Sequence, residues 1–166
     1  MIYGASAFSL AKELGASTRE AQEYIDRYYE RFPGVKAYLD RIVESAAAKG
    51  YAETMFGRKR PVPELKQSDR LSRDAGRRIA LNMPIQGTAA DIMKKAMIDI
   101  RRETGRAGLR ARMILQVHDE LVFEVPASER SRMDRLVRES LETVCPGFRV
   151  PLRVTLGWGP NWADAK

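Results

Sequence analysis

Ile114-Leu-Gln-Val-His-Asp-Glu-Leu-Val-Phe-Glu-Val-Pro126 holds the chain's one histidine and two adjacent acids between runs of strand-forming residues. Ala111, Met113, Leu115 and Val117 alternate with Arg112, Ile114 and Gln116. Leu121, Phe123 and Val125 continue the alternation, so the stretch reads as two antiparallel strands joined at His118-Asp119. A polar tip between strands needs no chemistry to explain it, because Asp tolerates turn dihedrals and His and Glu are at ease in water. The same tip would also present carboxylates on a rigid support.

Working outward, helices dominate the residues before the hairpin. Residues 6–14 form a short amphipathic helix stopped by Gly15, and Ser17-Thr-Arg-Glu20 is a capping box opening a helix over 18–32. Pro33-Gly34 breaks that helix. A third follows over about 35–49, with Val35, Leu39, Ile42, Val43 and Ala46 on one face and Gly50 as its stop. Residues 51–56 read as a short strand and Pro61-Val-Pro63 as a turn. A basic helix then spans about 67–83, and Thr88-Ala-Ala-Asp91 looks like the cap of a helix ending near Gly105. After the hairpin, Met133, Leu136, Val137, Ser140, Leu141 and Val144 keep helical spacing. Pro146-Gly147 turns the chain into a last strand, 152–156. The fold class expected is α+β: an antiparallel sheet of at least three strands backed by helices, with a helical N-terminal part.

The 166 residues, 44% hydrophobic, fit one compact domain with a real core. No apolar run reaches the roughly 20 residues that cross a bilayer, and Met1-Ile-Tyr-Gly-Ala lacks the layout of a secretory signal. A cytoplasmic chain without a membrane partner is the expectation. The lone Cys145 has no second cysteine to pair with and reads as a small buried hydrophobe.

Charge says more about partners. The 29 Lys and Arg against 22 Asp and Glu give a formal +7, and the excess clusters at Arg58, Lys59, Arg60, Lys66, Arg70, Arg73, Arg77 and Arg78. On the basic helix Arg70, Arg73 and Arg77 fall within about 60° of one another, with Leu71, Ala75 and Ile79 as the apolar stripe. Arg78, Asn82 and Gln86 line up along the edge if the helix survives Pro84 with a kink. Such side chains grip phosphates and donate to base acceptors, although a solvated helix face would look the same.

Taken together, the motifs resemble family A DNA polymerases, the bacterial DNA polymerase I type, in their C-terminal part. The match is carried by Tyr3-Gly-Ala-Ser6, Phe56-Gly-Arg-Lys-Arg60, Asn82-Met-Pro-Ile-Gln-Gly-Thr-Ala-Ala-Asp91, Gln116-Val-His-Asp-Glu120 and Gly157-Trp-Gly-Pro-Asn-Trp162. It spans essentially the whole chain. The resemblance implies an antiparallel palm sheet with packed helices and a helical fingers remnant, about 1–50 being fingers and about 51–166 palm. It implies nucleotidyl transfer to a primer 3′ end, with primer-template DNA and deoxynucleoside triphosphates as partners. Asp119 would be a ligand of the catalytic Mg2+ ions, Glu120 a supporting acid and metal ligand, and His118 a neighbour of the primer terminus. Arg78, Asn82 and Gln86 would contact template or primer near the growing end. Tyr3 would close the fingers against the templating base. Arg58, Lys59 and Arg60 would contact the duplex backbone; the cationic face of Arg70, Arg73 and Arg77 is expected to bind the same duplex because its charges can displace counterions from phosphates. Thr88, Ala89 and Ala90 read instead as cap and close-packing residues, and Tyr24, Tyr28 and Phe32 as helix packing.

The family's other metal aspartate, its triphosphate-binding fingers residues and its thumb have no counterpart in these residues. The chain is therefore expected to be a fragment or a split or truncated product, inactive until an upstream polymerase segment is supplied. Two alternatives are a basic DNA-binding module without chemistry and a metal-dependent phosphodiesterase using Asp119 and Glu120. The shortage of further clustered acids and histidines speaks against the last.

Overall fold

A computed structural model describes residues 6–165, and the chain divides after Ala89 into two compact units. In the first, local capping signals set nearly every helix boundary. α1 (Ala7–Leu14) starts where the Ser6 hydroxyl accepts from the Ser9 N–H and stops at Gly15, whose φ of 64° suits a residue without Cβ. α2 (Thr18–Arg31) opens on the expected capping box, with Glu20 N–H on Ser17 Oγ at 3.2 Å and Ser17 N–H on Glu20 Oε2 at 2.9 Å. It ends one residue before the expected 32. Phe32 precedes a proline and is driven out of the helical region, to φ −126° and ψ 65°. Pro33 then occupies the first turn of α3 (Pro33–Lys49), two residues earlier than expected, where its missing N–H costs nothing.

The expected strand over 51–56 shrinks to β1 (Tyr51–Glu53), which pairs antiparallel with β2 (Lys59–Pro61). The Thr54 hydroxyl shortens it by accepting from the Phe56 and Arg58 N–H groups at 3.2 and 3.1 Å, which curls the backbone into a turn. A 3-10 turn, Pro63–Lys66, leads to α4 (Arg70–Asn82), capped by Asp69 on the Ser72 N–H. The core joins Ala46, Ala52, Val62, Ala80 and Met83, with Ile42, Val43, Leu65 and Ile79 against it.

The apolar stripe expected on α4 needs correction. Leu71 is 83% exposed, whereas Ile79 does pack on the core, beside the buried Gly76 and Ala80. The cause is a close approach that hydropathy does not register. A Cβ on Gly76 would lie 2.8 Å from the Leu65 backbone nitrogen, so the glycine is what seats α4 on the 3-10 turn.

The helix does survive Pro84, but by widening rather than by a simple kink. Met83–Gly87 forms a π-helical turn that leads directly into α5 (Thr88–Arg106). A wider turn accommodates the ring and the missing N–H of a proline. Thr88 is therefore not a helix cap as expected. Its backbone is already helical, and its buried hydroxyl accepts from the Met55 N–H at 3.0 Å.

In the second unit, β3 (Arg112–Val117) and β4 (Glu120–Glu124) form the expected hairpin. Register passes from Met113↔Phe123 to Leu115↔Val122, so Ile114 is an extra, bulged residue. The uniform alternation expected along β3 is broken there, because one extra residue reverses the face of all that follow. Met113 and Phe123 pack on the core, whereas Leu115 is 47% exposed. α6 (Arg130–Glu142) supplies the buried Met133 and Val137 to a core shared with Ile100 and Ala111.

Residues 152–156 are not a strand, and among the described residues each sheet has two strands rather than three or more. Burial alternates along 151–158 as in a strand. At the centre of the segment the Val154 peptide groups are taken by α6 side chains: Arg138 donates to the carbonyl at 2.9 Å, and Glu142 accepts from the N–H at 3.3 Å. The helical and antiparallel composition agrees with the α+β class expected. Cys145 is half-buried, and burial pushes its thiol pKa up. Among the described residues no helix is long and apolar enough to cross a membrane.

Candidate functional site

At the hairpin tip, Val117 pairs with Glu120, which leaves a turn of two residues. His118, not Asp119, takes the left-handed conformation, at φ 51°, the one positive φ of a non-glycine residue among those described. A side chain in that region costs on the order of 1 kcal/mol, and such strain concentrates at functional turns. Gln116 holds the conformation by donating from Nε2 to the His118 carbonyl at 2.7 Å. His118, Asp119 and Glu120 are all exposed. Glu120 has one neighbour across 42 residues: the Trp162 indole N–H lies 3.4 Å from Oε2.

Two adjacent exposed carboxylates are hard oxygen donors suited to Mg2+, which keeps several waters and takes one or two carboxylates from a protein. Among the described residues no group of three His, Cys, Asp or Glu side chains could enclose an ion. The donor set thus fits one side of a metal site, with other oxygens needed to complete it.

The cationic residues belong to the first unit and differ in how free they are. Lys59 and Arg60 stand exposed on β2, with the Lys59 ammonium 4.7 Å from the Tyr51 ring centroid. Arg58 is exposed and donates its backbone N–H to Thr54. On α4, Arg70 stands 3.7 Å from Asp74 and Arg77 3.4 Å from Asp40. The hydrogen bond from Lys36 holds the Asp40 carboxyl below its ordinary pKa, and Arg77 adds to that. Exposed pairs of this kind are worth about 0–1 kcal/mol and yield readily to a phosphate. Arg73 is different. Its guanidinium donates to the carbonyls of Gln67 and Ser68 and closes the loop ahead of α4. Arg78 and Gln86 are exposed, while Asn82 is half-buried. Asn82 Oδ1 is buried with no hydrogen-bond partner among the described residues, at a cost of about 1–3 kcal/mol unless a donor reaches it. Tyr3 lies outside the described residues.

Some contributors were invisible in the sequence. Glu129, nine-tenths buried, accepts from the Arg110 and Ala111 N–H groups, each at 3.0 Å, and so ties down the entrance to β3. Trp158 donates to Asp134 at 2.8 Å with Arg130 stacked 4.8 Å above its ring. Both tryptophans stood in the Gly157–Trp162 motif without any assigned task.

These features define a class: a basic α+β chain with paired carboxylates at a strained hairpin tip and an arginine-lined helix. The sequence model described as DNA polymerase family A matches residues 1–164. DNA polymerase I of Mycobacterium tuberculosis (strain ATCC 25618 / H37Rv) is 48% identical over 165 residues, which is 99% of this chain and 18% of that protein. DNA polymerase I of Geobacillus stearothermophilus is 46% identical over 166 residues, 100% of this chain and 19% of that protein. The solved POL domain of Pol1 from M. smegmatis, in complex with DNA primer-template and dNTP, superposes with a TM-score of 0.94 at 48% identity, covering 99% of this chain and 29% of that one. The chain belongs to DNA polymerase family A. It spans about a fifth of the length of the curated relatives it matches.

Proposed function

We propose that this chain is the C-terminal part of the catalytic domain of a DNA-directed DNA polymerase, with residues 1–50 contributing to the fingers and 51–166 to the palm. The observation that carries the reading is the two-residue tip that exposes Asp119 and Glu120 side by side in a family A chain. Asp119 and Glu120 are the oxygen donors this chain offers to Mg2+; the bound ion supplies charge stabilisation and activation of the primer hydroxyl. The turn fixes the backbone from which those two carboxylates extend, at the end of a hydrogen-bonded ladder. His118 stands beside them at the primer end.

Arg58, Lys59, Arg60, Arg70, Arg77 and Arg78 displace counterions from the backbone of a primed duplex. Gln86 and the unsatisfied Asn82 Oδ1 meet polar groups near the growing end, and Tyr3 closes on the templating base. Deoxynucleoside triphosphates, a completing upstream segment and a cytoplasmic setting belong to the same reading. The solved relative's complex with primer-template and dNTP supports the DNA and triphosphate part of the reading.

The test is primer extension by this chain, alone and fused to the upstream polymerase sequence of a relative. Extension is expected only in the fusion. Asp119→Asn there should lower turnover by roughly two orders of magnitude or more while DNA affinity stays within about twofold, and Glu120→Gln should cost less. Near-normal turnover of Asp119→Asn would sink the assignment. A second reading, a DNA-binding module without chemistry, is favoured by one observation: no three-donor metal cluster exists among the described residues. DNA binding with no extension by the fusion would select it.

A further inference from the structure

We infer that Trp162 is a positioning residue that orients the Glu120 carboxylate for uptake of a divalent cation, an inference that rests on the metal role proposed for Asp119 and Glu120. The two carboxylates are adjacent in sequence, but one lies in a turn and the other begins a strand. Successive side chains entering a strand diverge to opposite faces, so their convergence on one ion requires the longer side chain to be steered. Glutamate has three rotatable side-chain bonds and is otherwise free in water at this exposed position.

The segment after α6 supplies a guide. Both Val154 peptide groups are bonded to α6 through Arg138 and Glu142. Further along, Trp158 is fastened to Asp134 and covered by Arg130. The chain then closes on itself: Asn161 Nδ2 donates to Asp164 Oδ2 at 2.6 Å, and the Asp164 N–H donates to Asn161 Oδ1 at 3.2 Å. Gly159 is needed for that closure, because a Cβ there would lie 2.6 Å from the Asp164 carbonyl carbon. Trp162 is carried within this stapled turn.

The two tryptophans have different fates. Trp158 packs on the core of the second unit. Trp162 remains 48% exposed and directs its N–H to Glu120 Oε2 at 3.4 Å. A donor on Oε2 restrains the carboxylate and leaves Oε1 available to a cation. Outer-shell partners of this kind orient metal ligands and tune affinity.

Two measurements on the whole chain decide the matter. In a nitrogen-15 NMR spectrum the two indole N–H signals report Trp158 and Trp162 separately, and Glu120→Gln is expected to move the Trp162 signal alone. Electron paramagnetic resonance of free Mn2+ then gives the metal affinity. Asp119→Asn should abolish binding at the tip. Trp162→Phe, which keeps an aromatic ring and removes the donor, should raise the Mn2+ dissociation constant about three- to tenfold, below the usual effect of an outer-shell partner because the contact is exposed. The Trp158 signal should stay in place, marking an intact fold. Asn161→Ala, which removes the Asn161–Asp164 hydrogen bonds that close the turn, should weaken binding in the same direction. An affinity within twofold of the parent in Trp162→Phe or Asn161→Ala overturns the inference, as does a Trp162 signal indifferent to Glu120→Gln. Should Asp119→Asn bind Mn2+ as well as the parent, the metal reading of the hairpin fails and this inference with it.

Discussion

Replacing the arginines of α4 one at a time should separate those that meet phosphate from the one that serves the fold. Each phosphate contact releases condensed counterion and contributes about 0.9 to the slope of log affinity against log salt on duplex DNA. If Arg70, Arg73 and Arg77 were equivalent, removing all three would flatten the slope by about 2.7. The structure argues for less. The Arg73 guanidinium is bonded to the Gln67 and Ser68 carbonyls, whereas Arg70 and Arg77 have only exposed carboxylate partners at 3.7 and 3.4 Å. Arg70→Ala and Arg77→Ala should each flatten the slope by about 0.9, and the triple variant by about 1.8. Arg73→Ala should leave the slope unchanged and lower the urea midpoint, since two backbone carbonyls lose their donor. Fluorescence anisotropy with a labelled primed duplex at several salt concentrations measures this directly. An equal effect from Arg73→Ala would refute the distinction, and an unchanged slope in the triple variant would show that the whole face is merely solvated.

Gly76→Ala gains about 1 kcal/mol of helix propensity but drives a Cβ to 2.8 Å from the Leu65 backbone nitrogen. Overpacking against backbone costs about 1–3 kcal/mol, so a net loss near 1 kcal/mol is expected in urea unfolding, and a stabilised variant would contradict the seating of α4. The Asp69 carboxyl is held below its ordinary pKa by the Ser72 N–H and then its hydroxyl. A folded value below the unfolded one adds stability at pH above the ordinary aspartate range, which is lost as pH falls through the lowered value. Asp69→Asn, which still caps but does not titrate, should flatten this acid limb of the urea midpoint; identical limbs would exclude Asp69 as a contributor.

Much of the local structure was legible because it depends on neighbours in the chain. The Ser17-Glu20 box, the Pro33 boundary and the Gly15 and Gly50 stops are interactions within one turn of helix. The hairpin was equally plain, since alternation and a polar tip specify it without any partner. The candidate carboxylates were legible for the same reason.

What escaped the sequence depends on atoms brought together from afar. The face α4 buries is decided by Gly76 meeting a backbone nitrogen eleven residues away, and a glycine contributes nothing to a hydrophobic pattern. Thr88 looked like a cap until Met55 claimed its hydroxyl. The bulge at Ile114 reverses a face that periodicity assigned the other way. Residues 152–156 carry a strand's alternation, yet the Val154 peptide groups at their centre are bonded to arginine and glutamate side chains of α6. By itself the sequence determined which segments are helical, where the acids stand and where the positive charge clusters. Only the tertiary structure decided which arginines are free, which strand has a neighbour and that Trp162 meets Glu120. Periodicity encodes burial along one element, but a hydrogen bond across 42 residues or a backbone contact at a glycine leaves no period to read.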